Sequence, residues 1–243
     1  MSKMIIVAAK PEVPAFLASS EGKPKGAVIV IHEVWGLTDH IKSIAERFAI
    51  EGYSALAPDL LSGTEVDTSS MDDLQSALFD PERRNQVQPE LRKLMAPLQK
   101  PEFGATATAR LQACFNVLYD LPAAQRSVAV VGFCFGGTYS FNLAVAEPRL
   151  KLAIPFYGHS DHSVNELKRI KAPVRAFYGE QDERLISQLP DLTARMRDAS
   201  VDFEAKVYPD CGHAFFNDTN PHAYNQAAAE DSWKRTLTLL AER

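Results

Sequence analysis

Six short β-rich runs, several of them apolar on both faces, restrict the fold of this chain more than any other feature. They are Gly26–Ile31, Tyr53–Ala57, Val128–Gly132, Leu152–Phe156, Val174–Gly179 and Phe203–Tyr208. A strand that hides both faces belongs inside a parallel sheet, because only crossover helices cover a sheet on two sides. Helical spacing between the runs supplies that cover: Ile41, Ile44, Ala45 and Phe48; then Ala107, Leu111, Cys114, Phe115 and Leu118; then Leu185–Ala199 and Ala223–Leu240. The pattern predicts a doubly wound α/β domain. The opening segments "KMIIVAA" and "VPAFLA" predict an antiparallel ribbon at one edge. A chain of 243 residues, 46% hydrophobic, suits one globular domain over 1–243.

One interval breaks the alternation. Between Ala57 and Val128 lie the polar stretch "SGTEVDTSS" and the charged stretch "DPERRNQVQPELRKLMAPLQK", far more chain than a βα connection uses. Extra helices near the active face are expected there, with the individual charges on the surface.

A net charge of −5 argues against nucleic acid as a partner, since such a surface repels phosphates, and points to a small neutral or anionic ligand. The first apolar run, Met4–Ala9, is shorter than a secretory signal core and is stopped by Lys10 and Pro11; no run reaches the length of a membrane span. A soluble, cytoplasmic chain is the expectation. Cys114, Cys134 and Cys211 form neither a disulfide framework nor a zinc pattern, so at least one thiol is free. His159 and His162 make an H-x-x-H pair without a third ligand, so neither metal nor cofactor is expected.

The segment "VAVVGFCFGGTYSFNLAVA" is strand, sharp turn and helix, with Gly132-Phe133-Cys134-Phe135-Gly136 matching G-x-C-x-G. In a nucleophile elbow the central residue sits on a strained turn where side chains two before and two after would collide, hence glycine on both sides. The helix N-terminus favours a thiolate, and the Phe135 N–H faces the place where an oxyanion would form. The acid and then the histidine should follow at the ends of later strands. Glu180, Asp182 and Glu183 compete for the first role, and the G-x-x-D turn favours Asp182. His213 alone among six histidines lies between the last strand and the last helix, which makes it the general base. His40 and His222 are expected on solvated helix surfaces, and His159 and His162 in a loop. The turn after the first buried strand should supply the second oxyanion donor, the Val34 N–H. Glu33 beside it either points to solvent or is buried with a partner.

Together these residues resemble the dienelactone hydrolases (carboxymethylenebutenolidases). "HEVWGLTDHI", "LAPDLL", "GFCFGG", "PFYG", "GEQD" and "CGHAFFND" occur in that family's order over nearly the whole chain. The resemblance implies an eight-stranded α/β-hydrolase variant with Cys134 as nucleophile, His213 as base, Asp182 as orienting acid and Glu33 near the thiol as the group that takes its proton once substrate binds. It also implies two arginines for a substrate carboxylate, one of them four residues after the histidine. That position is Asn217 here, and Arg83 and Arg84 only lie near the other. A lactone or ester as the small-molecule substrate is therefore better supported than the dienelactone itself, with a general carboxylesterase or thioesterase as alternative. Trp35, Phe133, Phe135, Tyr157, Phe215 and Phe216 are candidates for the pocket wall, although core packing explains each equally well. A thiol redox protein using Cys134 with Cys211 is the reading from another class. A monomer or small homo-oligomer is expected, without nucleic-acid or membrane partners.

Overall fold

A computed structural model describes residues 2–66, 74, 77, 83–121 and 127–242. The strands are β1 (Ser2–Val7), β2 (Val13–Ala18), β3 (Ala27–Ile31), β4 (Ser54–Pro58), β5 (Val128–Phe133), β6 (Leu152–Phe156), β7 (Val174–Gly179) and β8 (Phe203–Tyr208). The helices are α1 (Asp39–Ile50), α2 (Arg84–Met95), α3 (Pro101–Tyr119), α4 (Phe135–Ala146), α5 (Val164–Leu167), α6 (Glu183–Asp198) and α7 (Gln226–Ala241).

All eight strands form one sheet in the order β1-β2-β4-β3-β5-β6-β7-β8. The opening ribbon pairs antiparallel with itself and with β4, whereas β4, β3, β5, β6, β7 and β8 run parallel. Each central strand feeds alternate residues to two cores. Ile29, Ile31, Val128 and Val130 face α3 and α4, while Val28, Val30, Val131 and Phe133 face α1 and α7. This two-sided burial is why those runs read as continuously apolar.

The chain between β4 and β5 carries α2, a 3₁₀ turn at Ala96–Gln99, and α3. Partly buried Val87, Leu91, Leu94 and Met95, at helical spacing along α2, pack on a small third cluster with Trp35, Leu61 and Val66. Three expectations are corrected. His222 is exposed but lies in a turn before the last helix and not on a helix. The last helix starts at Gln226 and not at Ala223, because the Asn225 side chain caps the Ala228 N–H at 3.1 Å and Asn220 holds residues 223 and 224 in turns. His40 is buried, not solvated: its Nδ1 meets Asp218 Oδ1 at 3.0 Å, so the start of α1 is tied to the loop before α7. No helix among the described residues is long and apolar enough to cross a membrane.

Candidate active site

In a parallel sheet the carboxyl ends of the strands open onto one crevice, where loops are free to carry chemistry. The ends of β3, β5, β7 and β8 bring Glu33, Cys134, Asp182 and His213 to that edge.

Cys134 joins β5 to α4 with φ 55° and ψ −111°, a left-handed backbone uncommon for a residue with a side chain. The turn is held by its own N–H donating to Phe156 O at 3.0 Å, and by its carbonyl accepting from Thr138 N at 3.1 Å. A Cβ at Gly132 would overlap the Gly136 carbonyl, and one at Gly136 would overlap the Ile31 carbonyl. Glycine is needed at both places because α4 starts in direct contact with the ends of β5 and β3. Behind the elbow, Thr138 Oγ1 accepts from His159 N at 3.3 Å and lies 3.1 Å from its ring Nδ1.

Asp182 and His213 meet at 2.5 Å through Oδ2 and Nδ1. Asp182 sits on the turn between β7 and α6, its N–H donating to Gly179 O. The competing acids Glu180 and Glu183 are exposed. Burial pushes the Asp182 carboxyl up, but the hydrogen bond and charge of His213, a bond from the Leu185 N–H and the charge of Arg184 outweigh it, so the group titrates below its ordinary value. Burial also pulls His213 down. That effect is overcome by the proximity of Cys134 and by the hydrogen bond and charge of Asp182, which push the imidazole up to about 10. Imidazole and carboxylate are thus hydrogen-bonded, and the Cys134 thiol is near enough for its charge to act on the imidazole.

Glu33 is buried, with 3% of its surface exposed. Burial raises its carboxyl to about 7, against the opposing charge of His213 and the hydrogen bond from Asn217. Asn217 Nδ2 donates to Glu33 Oε2 at 2.8 Å. Asn217 is therefore engaged with a protein carboxyl at the position where the resembled family carries a cation.

The other sequence candidates divide into groups. Val34 lies in the turn after β3, where Gly36 N–H donates to Glu33 O at 3.2 Å, and Phe135 opens α4. Tyr157, also at positive φ, places its ring 4.9 Å from that of His213. Trp35 packs under α2. Phe133, Phe215 and Phe216 are enclosed in the aromatic core below the histidine, so Phe215 backs the crevice without presenting a surface to it. Arg83 is exposed at the start of α2, and the Arg84 side chain lies outside the described residues. Cys114 is buried, its thiol raised to about 12, and Cys211 is buried with its thiol raised by burial and by Asp210. Among the described residues, no three His, Cys, Asp or Glu side chains are grouped to hold a metal ion.

One further residue belongs to the site and is not among these candidates. His32 is fully buried, accepting from Leu60 N–H through Nε2 at 3.0 Å, which leaves Nδ1–H to donate to Glu33 O at 2.6 Å. Its ring also stacks on Phe135, with centroids 5.6 Å apart. It braces the backbone of the Glu33 turn against the elbow; a histidine at the end of an apolar run is the local signal that could have found it.

The model of the dienelactone hydrolase family matches residues 13–243. A putative carboxymethylenebutenolidase of Saccharolobus solfataricus is 36% identical over 245 residues, covering 94% of this chain and 93% of that one. One from Escherichia coli K12 is 32% identical over 240 residues, covering 93% and 80%. Among solved structures, a putative dienelactone hydrolase from Klebsiella pneumoniae superposes with TM-score 0.80 at 25% identity, over 100% of this chain and 99% of that one.

Proposed function

The chain belongs to the dienelactone hydrolase family, whose members are hydrolases acting on ester or lactone bonds, and we propose that it cleaves an uncharged ester or lactone through a Cys134–His213–Asp182 triad assisted by Glu33. The observation that carries this reading is the His213–Asp182 hydrogen bond at the same strand edge as Cys134, whose thiol sits on a strained strand-to-helix turn and whose charge acts on the His213 imidazole.

The chemistry follows from that arrangement. The Cys134 proton passes to Glu33 or to His213, and the thiolate attacks the carbonyl carbon. The developing oxyanion is received by the N–H groups of Val34 and Phe135, the second aided by the N-terminal end of α4. As the tetrahedral adduct collapses, His213 gives its proton to the leaving oxygen, and a thioester to Cys134 remains. A water molecule, deprotonated by His213, then attacks the thioester; Cys134 departs and the acid product leaves. Asp182 holds the imidazole with Nδ1 protonated, so Nε2 is the atom that moves protons.

Two features support an uncharged substrate. Asn217 is neutral and its amide is occupied by Glu33 and Thr219, so that position offers a carboxylate neither a cation nor a free donor. The cluster against Val34 and Trp35 is apolar, formed in part by α2. Burial of Cys211 with a raised thiol favours hydrolysis over thiol pairing with Cys134. The test is a panel of aryl esters, thioesters and lactones given to wild type and Cys134→Ala: turnover lost only in the variant supports the reading, and turnover retained by it ends the thiol mechanism.

A further inference from the structure

The sheet ends at β8, a six-residue edge strand whose middle residues Glu204, Ala205 and Lys206 are all exposed. Among the described residues no strand pairs with the outer side of β8, and its hydrogen bonds to β7 fix which residues own the outward backbone groups. Val174 N–H donates to Asp202 O and Glu180 N–H to Tyr208 O, with an unbroken parallel register between β7 and β8. Even-numbered residues of β8 therefore aim their peptide groups inward at β7. Phe203, Ala205 and Val207 aim theirs outward.

We propose that β8 pairs antiparallel with β8 of a second copy across a two-fold axis at Ala205, joining two sheets into one. Outward groups on alternate residues allow only registers in which odd residues meet odd residues. Centred on Ala205, the pairing sets Ala205 against itself and Phe203 against Val207 in both directions, about six main-chain hydrogen bonds. The same register sets Glu204 opposite Lys206 of the second copy and Lys206 opposite its Glu204. Both charges lie on the face toward α7, where a groove of about 510 Å³ runs beside Lys206, Lys234 and Leu239. The groove leaves room for the incoming Glu204; its cations Arg175, Lys206, Lys234 and Arg235 outnumber its anions Glu204 and Asp231.

The contact is isologous, so each favourable pair occurs twice. Glu204 already meets Arg175 Nε of its own chain at 3.6 Å; between copies this register sets it opposite an unlike charge, whereas a two-residue shift sets like charges opposite one another. Pro209, which has no N–H, stops the ladder from extending to the Val201 pair. The small Ala205 side chain on the axis avoids a clash between copies.

Sedimentation velocity over a dilution series tests the proposal on the full chain. Wild type should sediment at twice the chain mass. Glu204→Lys and Lys206→Glu should each halve that mass by setting like charges opposite one another twice, and the double exchange should restore the dimer. Ala205→Pro deletes an N–H that points outward and not at β7, so it should give a monomer that still unfolds cooperatively on heating. Wild type at monomer mass throughout the series, or a dimer that persists in Glu204→Lys, overturns the proposal. None of these residues lies in the candidate active site, so the outcome is independent of the hydrolytic reading.

Discussion

Asn217 and Glu33 stand 184 residues apart in the chain and meet at 2.8 Å, both almost wholly buried. The Asn217 amide cannot turn over. Its Oδ1 accepts from the Thr219 backbone N–H at 3.0 Å and from Thr219 Oγ1 at 2.7 Å, which commits the NH₂ end to Glu33. A neutral donor fits both a carboxylate and the carbonyl oxygen of a carboxylic acid. Asn217 can therefore hold Glu33 in place in either protonation state, as the proposed proton transfer from the thiol requires.

Replacing that donor should move the pH dependence of the reaction. Asn217→Leu keeps the volume and removes the N–H, so ionised Glu33 loses a hydrogen bond of roughly 1.5–3 kcal/mol and its carboxyl rises further. If Glu33 takes the thiol proton, the acid limb of kcat/KM should shift upward by about one pH unit or more, while Asn217→Gln keeps a limb closer to wild type. An acid limb that stays in place in Asn217→Leu would separate Glu33 from the proton transfer.

The same carboxyl makes stability depend on pH. Its folded-state value is raised from 4.5 to about 7, so the folded state binds its proton more tightly than the unfolded state. Stability contributed by the neutral group is present below about 4.5 and is lost as pH rises through about 7. The shift corresponds to roughly 3 kcal/mol when complete. Glu33→Gln still accepts from Asn217 and has no charge to bury. Urea unfolding should show the variant gaining on wild type between pH 5 and 8, and a gap that is constant with pH would contradict a buried, neutral Glu33.

The choice among three neighbouring acids is checked by amide substitution. Asp182→Asn removes the charge and the orienting acceptor beside His213 Nδ1, and turnover should fall by about three to four orders of magnitude with the fold retained. Exposed Glu180 and Glu183 should tolerate Gln with rates within a factor of a few. Steady-state kinetics on one activated ester is enough; a larger loss in either control would reassign the acid.

How far the sequence reveals this molecule depends on the range of the interaction. β6, β7 and β8 have the predicted boundaries because each run is bounded by residues outside the strand pattern, and β5 extends by one residue to Phe133. The elbow is legible because its glycines, thiol and helix start are contiguous. The burial of His40 is not, since it depends on Asp218, 178 residues away. The sequence leaves the outward or inward aim of Glu33 open for the same reason: only the fold brings Asn217 to it. His32 needed the Leu60 N–H from the next strand's end to reveal its role.

Two glycines near the chemistry should respond oppositely to a methyl group. At Gly136 the added Cβ meets the Ile31 and His32 carbonyls, which belong to the end of β3 and cannot yield without disturbing the sheet. Overpacking against backbone costs about 1–3 kcal/mol at least, so Gly136→Ala should lower the unfolding midpoint strongly or fail to fold. Gly212 precedes His213, yet a Cβ there meets nothing within 4 Å. Gly212→Ala should therefore stay within about 0.5 kcal/mol of wild type, or gain slightly by restricting the unfolded chain. Paired thermal melts with ester assays distinguish the causes: lost stability and activity together at 136, and both retained at 212, place the elbow's glycine requirement in the contact between α4 and β3. A stable, active Gly136→Ala would remove that contact as the reason for G-x-C-x-G.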